Sequence, residues 1–564
     1  MLASTLDRLT STQREPEHMT RRPTALPAPP APWVVVADCV SLGALAVTAG
    51  ILISGGVRIT VAGFRVSIHD PWRPALLAAT VLLVRHAIAR WPPFPVAFGR
   101  AAGHGLARLR LFDAFVISAA AAYTFLLVNR AIVFGSREGG AVYPYRQNVT
   151  VSAVALAAVS GLLIPAAFEL TARWATRRAF VTVAAWMAIG FVFQVAVRDL
   201  YPIPIGRIVE SSGCTSFFTV TTLYRPLDLI RRFESLAPSL PLHAAYNMPG
   251  KIFIYYFLEL LSPGSQTIAL GMIALSTVGG GLVFAVAQRL FRNVRVATLA
   301  MVLSLVFPAN VAFLPLPNTV GPLWALASFW LWVVYLDNRR SRYLWLLGAS
   351  LYLMMFMDPL LFVLGVVFVG MMAHRLLRRE LAWTDLGRIA VVPILGFLLV
   401  HVAMRLIVGF DIVSVFVTMM RAATDFNERA GRPYDIWVVQ NLKEFFLGAG
   451  LVPSLVILLT MPSLARAAWR AGRAAGLTSA VTALFASHAG ALATSACLCL
   501  CVVDLLGVNR GEVTRLWIFL GVFLQLVCAE SIVTRFGDAT ASLTLAAVCV
   551  QTIVTVTMVG FLIC

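Results

Sequence analysis

The chemistry-bearing residues of this chain gather in a few stretches between apolar runs. "PLHAAYNMPGKIF", residues 241–253, sets His243, Asn247 and Lys251 around a Pro-Gly pair. A protonated lysine donates three hydrogen bonds, and an oxyanion such as a phosphate is its natural partner. Upstream, residues 199–249 interleave Asp199, Arg207, Glu210, Arg225, Asp228, Arg231, Arg232 and Glu234. A carboxylate at Asp199 or Glu210 could accept a proton from a hydroxyl. Arg225 and Lys251 could hold a phosphate beside it. A second stretch, "NRGEVTRLW", places Arg510, Glu512 and Arg515 together, with Glu512 and Arg515 spaced to pair on a helix. A third, Asn427 to Asn441, carries Arg429, Arg432, Tyr434, Asp435 and Trp437.

The elements that position these residues are membrane helices. The chain has 564 residues, 59% hydrophobic and 13% charged. An ordinary soluble domain carries about 25% charged residues. Apolar stretches long enough to cross a bilayer recur from Trp33 to the end. They show no strict alternation, so helices rather than barrel strands are expected. Spans are expected at 33–54, 73–90, 112–134, 149–168, 178–198, 266–289, 295–315, 318–337, 343–357, 358–375, 388–408, 440–462, 480–503, 516–534 and 540–562. This is an all-α polytopic membrane protein with about fifteen spans. Residues 1–32, polar and rich in proline, read as a disordered cytoplasmic tail.

The formal charge of +19 does not point to nucleic acid, because the basic residues form short clusters between spans. With the N-terminus cytoplasmic, six clusters fall on the inner side. They begin at Arg100, Arg173, Arg289, Arg339, Arg375 and Arg466. Residues 250–261 are too short to span and would invert that pattern if counted. They are read as a re-entrant or interfacial helix, with Pro249 in its first turn. The long loops 199–249 and 409–439 then lie outside. Of the eight cysteines, six sit in apolar runs, and the "CLCLC" alternation has no histidine or second pair to complete a metal site.

Four stretches, taken together, resemble the GT-C superfamily of membrane glycosyltransferases. They are "GGVRITVAGFRVSIHDPWRP", "SLPLHAAYNMPGKIF", "NERAGRPYDIWVVQNLKEFF" and "NRGEVTRLWIFL". The chain looks like the bacterial relatives of protein O-mannosyltransferases and of the lipid A aminoarabinose transferase. The resemblance implies one GT-C-like domain over 33–564. It implies transfer of a sugar from a polyprenyl-phosphate donor to a glycan, lipid or protein acceptor on the extracytoplasmic face. Asp199, and after it Glu210, match the catalytic acid of the first outer loop. Arg225, His243, Asn247, Lys251, Arg510, Glu512 and Arg515 match the phosphate or donor side. Some members also use a divalent cation. The departures are a single acid in "VRDLY", where related loops commonly carry a pair, Asn247-Met248-Pro249-Gly250, where they read His-Pro-Pro-Gly, and "CTSFFTVTTLY", which has no acid where similar loops often have one. A lipid-linked sugar flippase, polymerase or ligase, or an inactive GT-C-like scaffold, are the alternative readings.

Overall fold

The computed structural model describes residues 32–54, 57–61, 64–68, 72–89 and 111–562. Most of the expected tail, and the basic cluster at Arg100, Arg108 and Arg110, lie outside these residues. Two compact units are distinguished: residues 1–42 with 77–111, and residues 43–76 with 112–564. In the first, Arg85 Nε donates to Asp38 Oδ1 at 2.9 Å and Nη2 to Oδ2 at 3.3 Å, with both side chains buried. In the second, residues Val57–Val61 and Phe64–Ile68 pair antiparallel, Val57 opposite Ile68.

Among the described residues, eleven helices are long and apolar enough to cross a membrane. Phe112–Val128 and Arg342–Met357 are shorter apolar helices. Two helices form the interior of the larger unit. Every residue from Val296 to Val306 is buried, as are those from Ile518 to Ser531 except Glu530. Gly190 and Gly280 admit Leu305 between them; a Cβ at either would come within 2.9 Å of its methyl carbons. Trp383–Val408 buries only Pro393 and Gly396 and packs through small residues. A Cβ at Gly348 would stand 2.2 Å from the Pro393 carbonyl oxygen.

Two expectations are corrected. Residues 440–462 do not form one span. Tyr434–Ala449 and Leu451–Ala475 are separate helices that meet at Gly450, whose φ of +104° favours glycine. The break frees backbone groups, and buried glutamines take them up. Gln525 Nε2 donates to the Ala449 carbonyl at 2.7 Å, Gln551 Nε2 to that of Leu447 at 3.1 Å, and Leu451 N to Gln551 Oε1 at 2.8 Å. Nor is 409–439 a loop. Ile412–Arg429 is a helix capped by Asp411, with Ile412, Val415 and Met419 turned inward. Residues 199–249 are ordered as short helices, and Cys214 within them is disulfide-bonded, which cysteine spacing did not reveal.

Candidate functional site

Gly250–Leu261 is a helix, as expected, with Pro249 and Gly250 at its start. Gly250 is required there by close approach. A Cβ would lie 2.4 Å from the Phe356 carbonyl oxygen and 2.8 Å from Met357 Cα. That contact brings Lys251 beside Asp358, the residue that ends helix Arg342–Met357 and caps the following 3-10 turn Pro359–Leu364. Lys251 Nζ lies 2.7 Å from Asp358 Oδ2 and donates to Asn247 Oδ1 at 2.7 Å. Asp358 Oδ1 accepts from Leu360 N at 3.1 Å. Asn247 is itself anchored, its Nδ2 donating to the His243 carbonyl at 2.8 Å.

The Lys251–Asp358 pair closes one end of a cavity of about 390 Å³. Tyr246, Asn247 and Asn509 join the pair as its polar lining; otherwise the wall is apolar. Phe416, Met419 and Met420 line it from Ile412–Arg429, and Val502, Val503 and Leu506 line it near the end of His488–Leu505. The methionines make that wall adaptable in shape. Among the described residues lining the cavity, Asp358 is the one carboxylate and Lys251 the one cation.

The second and third sequence stretches meet beside this cavity. Arg432 donates from Nη2 to Glu512 Oε1 at 2.7 Å and from Nη1 to the Arg510 carbonyl at 2.9 Å. Arg515 pairs with the other Glu512 oxygen. Asn441 receives Gly511 N at 3.1 Å and donates to the Asn509 carbonyl at 3.0 Å. Asn427 donates to the Val508 carbonyl at 2.8 Å. Burial works against the Glu512 charge, but Arg515 and Arg432 prevail and hold its carboxyl at about 2. His243 Nε2 donates to the Gly213 carbonyl at 3.1 Å, which requires the Nε2–H tautomer. Burial first, then Arg515 and Lys251, keep its imidazole below the ordinary range, against the pull of Gly213 and Glu512.

The structure thus brings together His243, Asn247, Lys251, Glu512 and Arg515, with Arg510 bonded to the Arg432 carbonyl at 3.1 Å. It does not bring the two expected acids to the cavity. Asp199 is exposed at the end of helix Ala179–Asp199. Its neighbour Arg198 is buried over the Tyr201 ring at 4.3 Å and donates to the Ala312 carbonyl at 3.3 Å. Glu210 is 47% exposed, accepts from Ser265 Oγ at 2.6 Å and lies 3.8 Å from Arg207. Arg225 is exposed at the start of Pro226–Arg231.

Sequence reasoning passed over Asp358 and Glu444. "MDPLL" reads as the junction of two spans, yet a carboxylate between apolar runs is itself a signal. Glu444 is fully buried, accepts from Thr514 Oγ1 at 3.3 Å, and is pushed by burial up to about 7. No group of three or more histidine, cysteine or acidic side chains among the described residues could hold a metal ion. Among the described residues, the donor set does not fit a resident divalent cation. Comparison with family models, with curated proteins and with solved structures finds no match.

Proposed function

We propose that the protein is a membrane glycosyltransferase. It moves a sugar from a polyprenyl-phosphate donor to an acceptor hydroxyl, and the end of the protein that carries residues 199–249 is extracytoplasmic. The observation that carries this reading is the cavity: an apolar chamber with one lysine at its polar end suits an isoprenoid chain that ends in a phosphate. Among the described residues, Asn247 and Asp358 take two of the three Lys251 donors, which leaves one for a phosphate oxygen. The oxidised Cys214 fits an extracytoplasmic compartment.

The acceptor oxygen attacks the anomeric carbon, and the carbon–oxygen bond to phosphate breaks. Its electron pair leaves with the polyprenyl phosphate, whose charge Lys251 meets. The acceptor's proton passes to a carboxylate and from there to water. Asp199 and Glu210 are exposed and lie off the cavity wall, so Asp358 is the better-placed acceptor of that proton.

The test incubates purified protein with radiolabelled polyprenyl-phosphate sugars and scores transfer and hydrolysis. Asp358→Asn keeps size and hydrogen bonding and should lower turnover by at least roughly 10²-fold with donor binding retained. Full activity in Asp358→Asn, with loss in Asp199→Asn or Glu210→Gln, would return the base to the 199–249 segment. No transfer or hydrolysis by the wild type with any donor would remove the enzyme reading.

A further inference from the structure

Helix Arg342–Met357 leads from beside a second concave site to the Asp358 cavity, and Gly365–Leu377 leads back from the cavity to that site. Sixteen residues of helix place the two sites about 24 Å apart. The second site is a cup of about 460 Å³ where Ser265–Phe291, Gly321–Asn338 and Gly365–Leu377 end. Arg289, Arg292, Arg339 and Arg375 line it with only Asp337 and Glu380 to balance them.

The two acids are already shared. Asp337 receives Arg289 Nε at 2.7 Å and Arg375 Nη2 at 2.5 Å. Glu380 pairs with Arg375 and receives Arg378 Nε at 2.8 Å. Donors remain in excess. Among the described residues, Arg375 Nε and Arg339 Nη1 are buried without a hydrogen-bond partner. Arg292 is exposed and, among the described residues, carries no ion pair. A buried guanidinium N–H without an acceptor is costly, and an anion in the cup would relieve that cost. Arg292 and Arg339 both stand at positive φ, 50° and 57°, where their helices end and the backbone turns back over the cup.

The depth of the cup indicates which anion. Trp383, three residues beyond Glu380, is 78% exposed, and Trp345, three beyond Arg342, is 42% exposed. Exposed tryptophans beside arginines are the pattern of the membrane–water interface, the level of lipid headgroups. We propose that the arginine cup binds the phosphate group of an anionic phospholipid. Guanidinium forks match phosphate oxygens in pairs, and the surplus of two positive charges favours a headgroup with net negative charge. This site is independent of the sugar-transfer reading.

The test titrates the full-length protein in neutral detergent with short-chain phosphatidylglycerol, short-chain phosphatidylcholine and inorganic phosphate. Binding is read as a thermal shift and by native mass spectrometry. Phosphatidylglycerol should bind saturably and raise the melting temperature, phosphatidylcholine should bind at least tenfold more weakly, and Arg339→Gln should lose most of the preference. Arg292→Gln, exposed and without ion pairs, should fold normally and lose several-fold; it decides the matter if Arg339→Gln is unstable. Equal binding of both lipids, or an unchanged preference in Arg292→Gln with Arg339→Gln folded and unchanged, overturns the proposal. Inorganic phosphate binding as tightly as phosphatidylglycerol, and lost in the same variants, overturns the lipid assignment in favour of a soluble phosphate.

Discussion

Helix Arg342–Met357 joins two polar places that solve opposite problems. At its C-terminal end, one lysine and one carboxylate are drawn into an apolar cavity and each is nearly spoken for. At its N-terminal end, arginines outnumber acids in an open cup. Charge at the cavity end acts at short range in a low dielectric, so a change in either partner is felt strongly. Charge at the cup acts through number and is screened, so each arginine lost weakens anion binding without unmaking the fold around it. Geometry is therefore the sensitive variable at Lys251, and net charge the sensitive variable at the cup.

The largest expected contrast is one of sidedness. A cysteine placed at exposed Ser235 should react with an impermeant reagent in whole cells, while one at exposed Arg340 should react only after lysis. The reverse pattern would exchange the two faces and with them the site of transfer. Next in size is Lys251→Ala, which should weaken donor binding by roughly 1.5–3 kcal/mol, the cost of a charged hydrogen bond. Unchanged donor affinity would remove the lysine from the phosphate.

A smaller effect separates two acids near the cavity. The Glu444 carboxyl rises from 4.5 to about 7 by burial. The folded protein then binds its proton more tightly than the unfolded chain does, so the contribution is full below about 4.5 and is lost as pH rises through about 7. Glu512 runs the other way: its ion pairs stabilise above about 4.5 and are lost as pH falls toward about 2. Between pH 5 and 8 the melting temperature of the wild type in detergent should fall relative to that of Glu444→Gln. An identical slope in the variant would deny the carboxyl its role. Least of all, Arg292→Gln should leave sugar transfer within about twofold, as expected of a surface change far from the chemistry. A large loss of transfer there would couple the two ends.

Much of this was legible in the sequence. Apolar runs located most helices to within a few residues, and the charge pattern kept Gly250–Leu261 from being counted as a span. Hydropathy failed where tertiary bonds override it. Residues 440–462 are apolar enough to read as one helix, but Gly450 breaks them and Gln525 and Gln551, far along the chain, make the break tolerable. Ile412–Arg429 hid in a polar stretch, although Ile412, Val415 and Met419 recur at helical spacing. At the site, His243, Asn247 and Lys251 were visible because polar groups crowd around Pro249-Gly250 ahead of an apolar run. Asp199 was visible only as an acid next to a span. Which way it faces depends on helix rotation, and the buried neighbour is Arg198.

The glutamine stitches at Gly450 also impose an order of assembly. Leu447, Ala449 and Leu451 lie in apolar surroundings and rely on side chains made about 75 to 100 residues later. Until helices Ile518–Ser531 and Asp538–Met558 are in place, the Ala449 carbonyl and the Leu451 N–H lack these glutamine partners, while the Leu447 carbonyl keeps only its local bond from Gly450 N. Tyr434–Ala449 carries the Asn441 and Glu444 side chains that support the cavity's edge. The cavity end of the protein is thus completed late, by helices Ile518–Ser531 and Asp538–Met558, and a nascent chain that stalls before them would carry the cavity's residues without its shape.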